Sequence, residues 1–438
     1  MAHPSAVSAG PAHRTPLDRP GIIGYCLYDW ANSSVNTVIG TFVFAVYFAA
    51  AVVGDETQGS AMWSTMIGVS GLAIAVMSPV LGSIADYTGR RKRWLAGLMV
   101  ATVVPVALLW FATPDTGSIW LVLILVFVAN VALELGTVFY NAMLPTVAPP
   151  HMTGRISGWA WGAGYAGGLA CLAIALLGLV GLGETPAWLG LPTEQSENVR
   201  ATALLVALWF AVFSVPLFLM TPDQPATGIG LNTAVRRGLR ELKTTLKSLR
   251  GERDLLRFLV ASALYRDAII TISAVGGLYA SDTFGMGFDE IIIFAIGLNV
   301  TAGIGAAAFA WVDDWIGPKR TILISLVGLT ATGVPIILID DSTTFIALAL
   351  GLGLFFGPTQ AASRSLMVRL SPPGKQGEFF GLYSLAGKSV AFLGPLIFAG
   401  ATALSGTQRV GLATILVFIV AGAALLWTVR EPRPHAAN

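Results

Sequence analysis

The sequence Tyr28-Asp29-Trp30-Ala31-Asn32-Ser33-Ser34-Val35-Asn36 lies within an apolar run that extends from residue 21 to residue 53. This run is long enough to cross a bilayer as a helix, because about 20 residues suffice. A carboxylate at the centre of such a helix costs roughly 2.5–3.5 kcal/mol, so Asp29 requires a partner or a polar cavity. On a helix, Asp29, Ser33, Asn36 and Gly40 share one face, with Asn32 beside them. The stretch therefore predicts a membrane helix with an inward-facing polar stripe.

The composition of the whole chain agrees with this prediction. Of its 438 residues, 55% are hydrophobic and only 11% are charged, whereas soluble domains carry about 25% charged residues. Apolar runs that are long enough to span a bilayer occur in two sets of six. They lie near residues 23–53, 62–85, 94–112, 119–146, 156–182, 201–221, 255–281, 290–312, 321–339, 344–368, 379–404 and 410–429.

The predicted fold is an all-α integral membrane protein in which twelve transmembrane helices form two six-helix bundles. The predicted domains are a disordered tail at 1–20, a first bundle at 21–221, a basic linker at 222–254, a second bundle at 255–430 and a tail at 431–438. Lys and Arg concentrate in the loops after the second, fourth, eighth and tenth runs, while the opposite loops carry Asp and Glu. The positive-inside rule therefore places both termini in the cytoplasm.

The linker repeats leucine at helical spacing, at Leu239, Leu242, Leu246 and Leu249, among seven Lys and Arg residues. This pattern predicts an amphipathic helix at the inner membrane surface. A plain domain linker with positive-inside charge is the alternative, and it is preferred over a specific lipid or partner site.

An internal duplication relates the two bundles. The pattern Pro149-Pro150, Gly154, Gly158 and Gly164 recurs at a constant offset as Pro372-Pro373, Gly377, Gly381 and Gly387. Two parallel halves of six helices are typical of transporters that bind their solute between the halves, near the midplane.

The segment Gly82-Ser83-Ile84-Ala85-Asp86-Tyr87-Thr88-Gly89-Arg90-Arg91-Lys92-Arg93 joins the second and third helices. It resembles the signature loop of the major facilitator superfamily, and Ala310 to Arg320 is a weaker copy in the second half. Gly82 permits close helix packing, Gly89 a tight turn, and Asp86 a charge contact between the halves. The resemblance implies that these residues stabilise one of two access states. The predicted gate residues are Gly82, Asp86, Gly89, Arg90, Arg91, Arg93, Asp314, Gly317 and Arg320.

A narrower resemblance covers nearly the whole chain and points to the vacuole-effluxer-like family of that superfamily, which contains vacuolar amino-acid exporters. It implies proton-linked export of a small solute, with neutral amino acids as candidates. The segments that carry it are Tyr28 to Ser33, Arg155 to Trp161, Gly164 to Gly168, Tyr265-Arg266-Asp267 and Gly357 to Ser365.

Ionisable and polar side chains recur inside the predicted membrane helices. The fourth helix carries Asn130, Glu134, Thr137 and Asn141 on one face, which is a second polar stripe with a carboxylate near the midplane. Intramembrane ionisable residues mark substrate or ion pathways. The predicted substrate or proton pathway contains Asp29, Asn32, Asn36, Glu134, Asn141, Trp161, Tyr165, Arg266, Asp267, Gln360, Arg364 and Lys388.

Structural roles remain open for several of these residues. Arg266 and Asp267 could pair and only fix helix positions, and Arg364 could snorkel to the membrane interface. Trp161 and Tyr165 could serve packing alone.

The leading hypothesis is a secondary active transporter that works by alternating access. Its cavity is expected between the first, fourth, seventh and tenth helices, with parts of the fifth and eleventh. Glu134, and after it Asp29, is the predicted proton carrier, because desolvation or loss of a cationic neighbour changes the proton affinity of a carboxylate. Arg364 or Lys388 beside these carboxylates could hold a zwitterion such as an amino acid at both ends.

The expected partners are a small-molecule solute, membrane lipids and protons, with no nucleic acid and no cofactor, for a monomer in a bacterial inner membrane. The alternatives are a receptor-like relative that does not transport, or an exporter of a sugar, a peptide or a drug-like cation. An enzyme is disfavoured because the four histidines, His3, His13, His151 and His435, lie in tails or a loop and none are grouped as metal ligands. No phosphate-binding loop of the Walker type is present either.

Overall fold

The computed structural model describes residues 18–181, 185–225, 227–249 and 251–431. Most of both predicted tails, at residues 1–17 and 432–438, therefore lies outside the described residues. The described chain is α-helical almost throughout, and eleven of its helices are long and apolar enough to cross a membrane. A further helix, Pro318–Ile336, begins with Lys319 and Arg320 and completes two sets of six. The predicted all-α membrane fold is confirmed.

The first half contains six spanning helices. Their bounds are α1 Arg19–Val53, α2 Glu56–Thr88, α3 Arg91–Phe111, α4 Thr116–Val147, α5 Pro150–Val180 and α6 Glu197–Met220. Asp18 caps the start of α1 by accepting a hydrogen bond from the backbone N–H of Gly21, which satisfies one of the free donors at a helix N-terminus. The buried core of this half is built almost entirely from α1, α3, α4, α5 and α6.

The second half repeats the arrangement. Its helices are α7 Arg253–Phe284, α8 Phe288–Ile316, α9 Pro318–Ile336, α10 Ser342–Leu370, α11 Gln376–Ser405 and α12 Gln408–Trp427. A separate core holds this half together. We call the end of the bundle that carries Arg90–Arg93, Arg155, Lys319–Arg320, Arg369 and Lys375 the basic face, and the other end the acidic face.

The backbone is irregular in α1 and in α11, where the sequence carries polar or small residues. In α1, residues Val35–Phe42 form a π-helical segment, a local widening that is frequent at functional sites. In α11, the helix stops at Val390 and resumes at Leu393. The backbone N–H of Gly394, at the start of the second piece, donates to the Asp267 carboxylate of α7, so Asp267 caps a helix break.

The linker contains a helix, Leu231–Ser248, that packs on the basic face. Its buried side is formed by Ala234, Gly238, Leu242 and Thr245. The predicted leucine stripe is therefore only partly buried, because Leu239 and Leu246 are 45% and 46% exposed. The small Gly238 is the reason, since a side chain there would meet the backbone of Ile84 in α2.

Candidate functional site

The first contact between the halves at the basic face joins α2 to the start of α11. The Asp86 carboxylate accepts hydrogen bonds from the backbone N–H groups of Gly377 and Glu378, at 3.0 and 2.9 Å. These donors belong to the first turn of a helix, where the helix dipole favours a negative charge. Gly82 lies so close that a Cβ would be 2.1 Å from the carbonyl oxygen of Gly377.

Arg91 extends this contact into a network. Its Nη2 lies 2.7 Å from the Asp86 carboxylate and 3.0 Å from Oε1 of Gln376 in α11, and its Nη1 donates to the carbonyl of Ala142 at 2.8 Å. The Arg91 side chain is 1% exposed. Arg91 and Asp86 both belong to the first half, so their ion pair holds the carboxylate in place for the donors of α11, and removing either member would leave an uncompensated buried charge.

A matching contact joins α5 to α8. Asp314 accepts from the backbone N–H of Gly154 at 2.8 Å and from Nε of Arg155 at 2.6 Å. A Cβ on Gly158 would lie 2.5 Å from Cβ of Ala310. The two contacts are equivalent under the internal duplication, since Asp86 and Asp314 each meet the first turn of a helix from the other half.

The other predicted gate residues occupy the connections beside these contacts. Gly89 and Gly317 end α2 and α8 with φ of 66° and 93°, which only glycine adopts without strain. Arg90 follows in the left-handed region, with φ of 50°, and its N–H donates to the carbonyl of Gln224. Arg93 and Arg320 are exposed at the basic face and make none of the contacts between the halves described above.

A cavity of about 530 Å³ opens toward the acidic face. Its wall includes Tyr279, Ile336, Phe345 and Leu412, which lie near the helix ends at that face. Polar side chains come from the π-helical segment of α1, from the residues just before it and from α8. Polar residues of the lining include Ser33, Asn36, Thr37, Thr41 and Asn299, and α5 adds Trp161 and Tyr165.

The helices around this cavity differ from the predicted set. The lining residues belong to α1, α5, α7, α8, α9, α10 and α12, and neither α4 nor α11 contributes one. The expected place of α4 and α11 on the wall is therefore wrong for this cavity. The reason is that these two helices are joined directly by an ion pair, while α8 and α9 leave open space toward the acidic face.

Arg364 of α10 is the centre of a buried cluster between the cavity and the basic face. Its Nη1 lies 3.1 Å from the Asp29 carboxylate and 3.2 Å from Oδ1 of Asn141. Its Nε and Nη2 donate to Oγ and to the backbone carbonyl of Ser157, at 2.9 and 2.7 Å. Since the Arg364 side chain is 4% exposed, it does not snorkel to the interface. One cation thus holds α1, α4 and α5 of the other half.

Aromatic rings surround the same guanidinium. The rings of Tyr25, Tyr140 and Trp161 lie 5.6 to 5.8 Å from it, which is within the range of cation–π attraction. Tyr25 and Tyr140 also stack on each other, and Tyr140 donates its hydroxyl to the carbonyl of Tyr25. The guanidinium thus has acceptors and rings around it, whereas the Tyr25 hydroxyl and Trp161 Nε1 have no hydrogen-bond partner among the described residues.

A second ion pair between the halves lies deeper in the bundle. Lys388 Nζ of α11 is 3.2 Å from the Glu134 carboxylate of α4. The two side chains are 26% and 29% exposed, in contrast to Arg364. Glu134 lies thirteen residues before the end of α4 and Lys388 twelve residues after the start of α11, which at 1.5 Å per residue is about 20 Å from the basic-face ends.

The residues of the two predicted polar stripes, on α1 and α4, are distributed among the cavity, the Arg364 cluster and the Glu134–Lys388 pair. Asp29, with Asn32 beside it at 3.4 Å, faces Arg364, whereas Asn36 faces the cavity. On α4, Asn130 donates to Ser70 of α2, Glu134 meets Lys388, and Asn141 meets Arg364. Asp29 and Glu134 therefore belong to separate ion pairs rather than to one shared site.

The predicted pathway residues of α7 and α10 have different surroundings. Asp267 is directed at the break in α11, so it does not pair with Arg266. Arg266 instead lies over the ring of Tyr383, 4.3 Å from its centroid. Gln360 is half-buried on α10, one turn before Arg364.

Several residues of the site were missed by sequence reasoning. Ser157 supplies two acceptors to Arg364 through its hydroxyl and its carbonyl, and Tyr25 and Tyr140 form the aromatic wall. Asn299 contributes an amide to the cavity. Ser157 sits within the glycine-rich motif Arg155 to Trp161, so the motif itself was the available signal.

Comparison with known proteins places the chain in a family. The model of the family described as vacuole effluxer Atg22 like matches residues 48–437. The chain belongs to this family. A relative from Bacillus subtilis, an uncharacterized MFS-type transporter, is 28% identical over 93% of this chain and 94% of its own length. Autophagy-related protein 22-1 of Phaeosphaeria nodorum is 25% identical over 90% of this chain and 77% of its own length.

Solved structures identify the fold of this Atg22-like protein. The major facilitator superfamily proton:xylose symporter XylE superimposes with a TM-score of 0.73 at 14% identity, covering 95% of this chain and 96% of the other. At this identity the likeness shows the fold alone. The protein is therefore a multi-pass membrane protein with the major facilitator fold, in a family of transporters.

Proposed function

We propose that this protein is a secondary transporter that exports a small solute in exchange for protons, and that Glu134 carries the proton. The observation that supports this proposal is the Glu134–Lys388 pair, 3.2 Å apart. It joins opposite halves of the bundle at mid-depth, yet both side chains remain partly accessible. A titratable group in that position can exchange a proton with one side of the membrane and then affect how the halves meet.

Competition for Glu134 couples the two fluxes. The carboxylate can hold the Lys388 ammonium, a proton, or a cationic group of the solute, but only one of these at full strength. A proton and an ammonium-bearing solute that exclude each other produce exchange, so inward protons drive the solute outward. Asp29 is less suited to this role, because its partner Arg364 has three further acceptors in place.

The driving force is adequate for export. One proton that moves down about 100 mV supplies roughly 2.3 kcal/mol, and a pH difference of one unit adds about 1.4 kcal/mol. Together they support accumulation of several hundred-fold, since each 1.4 kcal/mol is about a factor of ten.

A neutral amino acid is the solute that fits this arrangement best. Its ammonium group would take the place of a cation at Glu134, and its carboxylate requires a cation nearby. The description of the family as vacuole effluxer supports export. The bacterial relative supports a place in a bacterial cytoplasmic membrane, and the positive-inside rule supports a cytoplasmic basic face.

The closed contacts at the basic face and the cavity toward the acidic face support one of the two states of an alternating-access cycle. In this state the Asp86 and Asp314 contacts close the basic side, as proposed for the gate residues. The opposite state requires both contacts to separate while the acidic-face ends approach each other.

The proposal is tested in proteoliposomes. A thermal-shift screen of the purified protein against amino acids, sugars and nucleosides identifies the solute, and counterflow confirms its passage. We expect Glu134→Gln to abolish accumulation driven by a pH gradient while counterflow persists with a raised KM. Glu194→Gln, in an exposed loop, is the matched control and retains accumulation. Gradient-driven accumulation by Glu134→Gln at the control level would overturn the assignment of the proton carrier.

A further inference from the structure

Arg266 in α7 carries a charge that nothing in the described part of the chain neutralises. Its Nε and Nη1 are buried and have no hydrogen-bond partner among the described residues. A guanidinium has five N–H donors and retains its charge in a protein. Leaving such donors unpaired is costly, so an anion that accepts hydrogen bonds from them would stabilise the guanidinium.

The neighbouring carboxylates do not supply that anion. Asp267 follows Arg266 in sequence, but adjacent positions on a helix point about 100° apart, and Asp267 caps Gly394 in α11. Glu134 is occupied by Lys388 at 3.2 Å. Arg364 differs from Arg266 in its hydrogen bonds, because the Arg364 guanidinium already has acceptors at Nε, Nη1 and Nη2.

The surroundings of the Arg266 guanidinium come from α11 of the same half. The Tyr383 ring of α11 lies under it, 4.3 Å from the guanidinium carbon. Gly387, one turn further along α11, leaves room for Nη1, because a Cβ there would approach that atom to 3.0 Å. The residue after this glycine is Lys388, the partner of Glu134.

Depth and charge agree with a site for an anion. Arg266 lies thirteen residues after the start of α7, so it is about 20 Å from the basic-face end, the same depth as Glu134 and Lys388. The three side chains together carry two positive charges and one negative charge. Of these three side chains, Arg266 alone has no ion-pair partner among the described residues.

From these contacts we propose that Arg266 binds the carboxylate of the transported solute, with Tyr383 and Gly387 holding the guanidinium in position. Planar, bidentate recognition of a carboxylate is what a guanidinium does best. The ligand class is a small molecule with one carboxylate, and Glu134 is placed to receive an ammonium group of the same molecule. This inference rests on the proposed function, and it assigns the carboxylate to Arg266 rather than to Arg364 or Lys388.

The test measures binding to the purified full-length protein, so it can be read without any transport. The probes are L-alanine, L-leucine and L-phenylalanine, each compared with its amide, which keeps the ammonium group but lacks the carboxylate. We expect the wild-type protein to bind at least one acid at least tenfold more tightly than its amide. Arg266→Gln should lose at least tenfold in affinity for the acid and bind acid and amide alike, and Arg266→Lys should retain an intermediate preference.

The matched control is Arg257→Gln, which removes an arginine from the same helix where the side chain is 40% exposed. It should leave the preference for acid over amide unchanged.

Thermal unfolding without ligand adds a second readout. Removal of an unpaired buried charge should leave Arg266→Gln at least as stable as the wild type, whereas a purely structural arginine would lower the melting temperature on removal.

Two results would overturn the assignment. One is a folded Arg266→Gln protein that prefers the acid as the wild type does, and the other is a wild-type protein that binds the amides as tightly as the acids. Neither result touches the proton exchange at Glu134, which is tested separately by gradient-driven accumulation.

Discussion

Gly82→Ala tests the gate at the point of closest approach between the halves. The added Cβ would lie 2.1 Å from the carbonyl oxygen of Gly377, whereas ordinary contact begins at 3.4 Å. The helices α2 and α11 must therefore separate by about 1.3 Å locally. Overpacking of this kind costs about 1–3 kcal/mol. Because the opposite access state relieves the clash, the equilibrium should shift away from basic-face closure by about 5- to 150-fold.

The assay is a distance measurement between spin labels on the two halves. Labels at His151→Cys, in the first turn of α5, and at Pro373→Cys, in the loop before α11, occupy exposed positions of opposite halves at the basic face. The background replaces Cys26 and Cys171 by serine. Gly82→Ala should transfer population from the short to the long distance. A distribution identical to that of the parent protein would refute the reasoning.

The matched control for this measurement is Gly71→Ala. This glycine lies in the same helix, but a Cβ added there meets nothing within 4 Å. It should leave the distance distribution unchanged, so any general effect of alanine in α2 is excluded.

Two further predictions concern ion pairs. Asp29→Asn removes the charged partner of Arg364. Because losing one member of a buried pair costs about 3–5 kcal/mol, thermal unfolding should show clear destabilisation. An unchanged melting temperature would contradict the role of this pair. Glu241→Gln removes the ion pair between the linker helix and Lys375. A hydrogen bond from Lys375 lowers the pKa of Glu241, and the same bond raises the pKa of Lys375. The pair should thus contribute a constant, small stability of about 0.2–1 kcal/mol near neutral pH. That contribution should vanish as the pH falls through the lowered pKa of Glu241, or rises through the raised pKa of Lys375, and a pH series of melting temperatures checks it.

The contacts at the basic face follow from patterns that a sequence displays. The duplicated loop predicts the positions of Asp86 and Asp314. The repeated glycines Gly154 and Gly377 mark the helix starts whose N–H groups those carboxylates accept from. The sequence also places the members of both ion pairs, Asp29 with Arg364 and Glu134 with Lys388, on membrane helices. It does not say which carboxylate meets which cation, because that choice depends on how six helices of one half rotate against six of the other.

The remaining features depend on backbone detail that periodicity does not encode. Ser33 and Asn36 of α1 line the cavity, whereas Asp29, one turn before Ser33, meets Arg364, so one polar face serves two places that the sequence does not separate. Ser157 binds Arg364 partly through its carbonyl, and a backbone acceptor leaves no trace in residue identity. The break in α11 draws Asp267 away from Arg266, so a pairing that adjacency suggests does not form.

Exchange of solute and proton through the Glu134–Lys388 pair is measured most directly as solute-driven proton movement. Proteoliposomes that contain a pH-sensitive dye, with no gradient imposed, receive the solute identified by the binding screen. We expect solute entry through the wild-type protein to drive protons out and raise the internal pH, and Glu134→Gln to move solute in counterflow with no pH change. Solute movement through the wild-type protein without any proton movement would contradict this exchange.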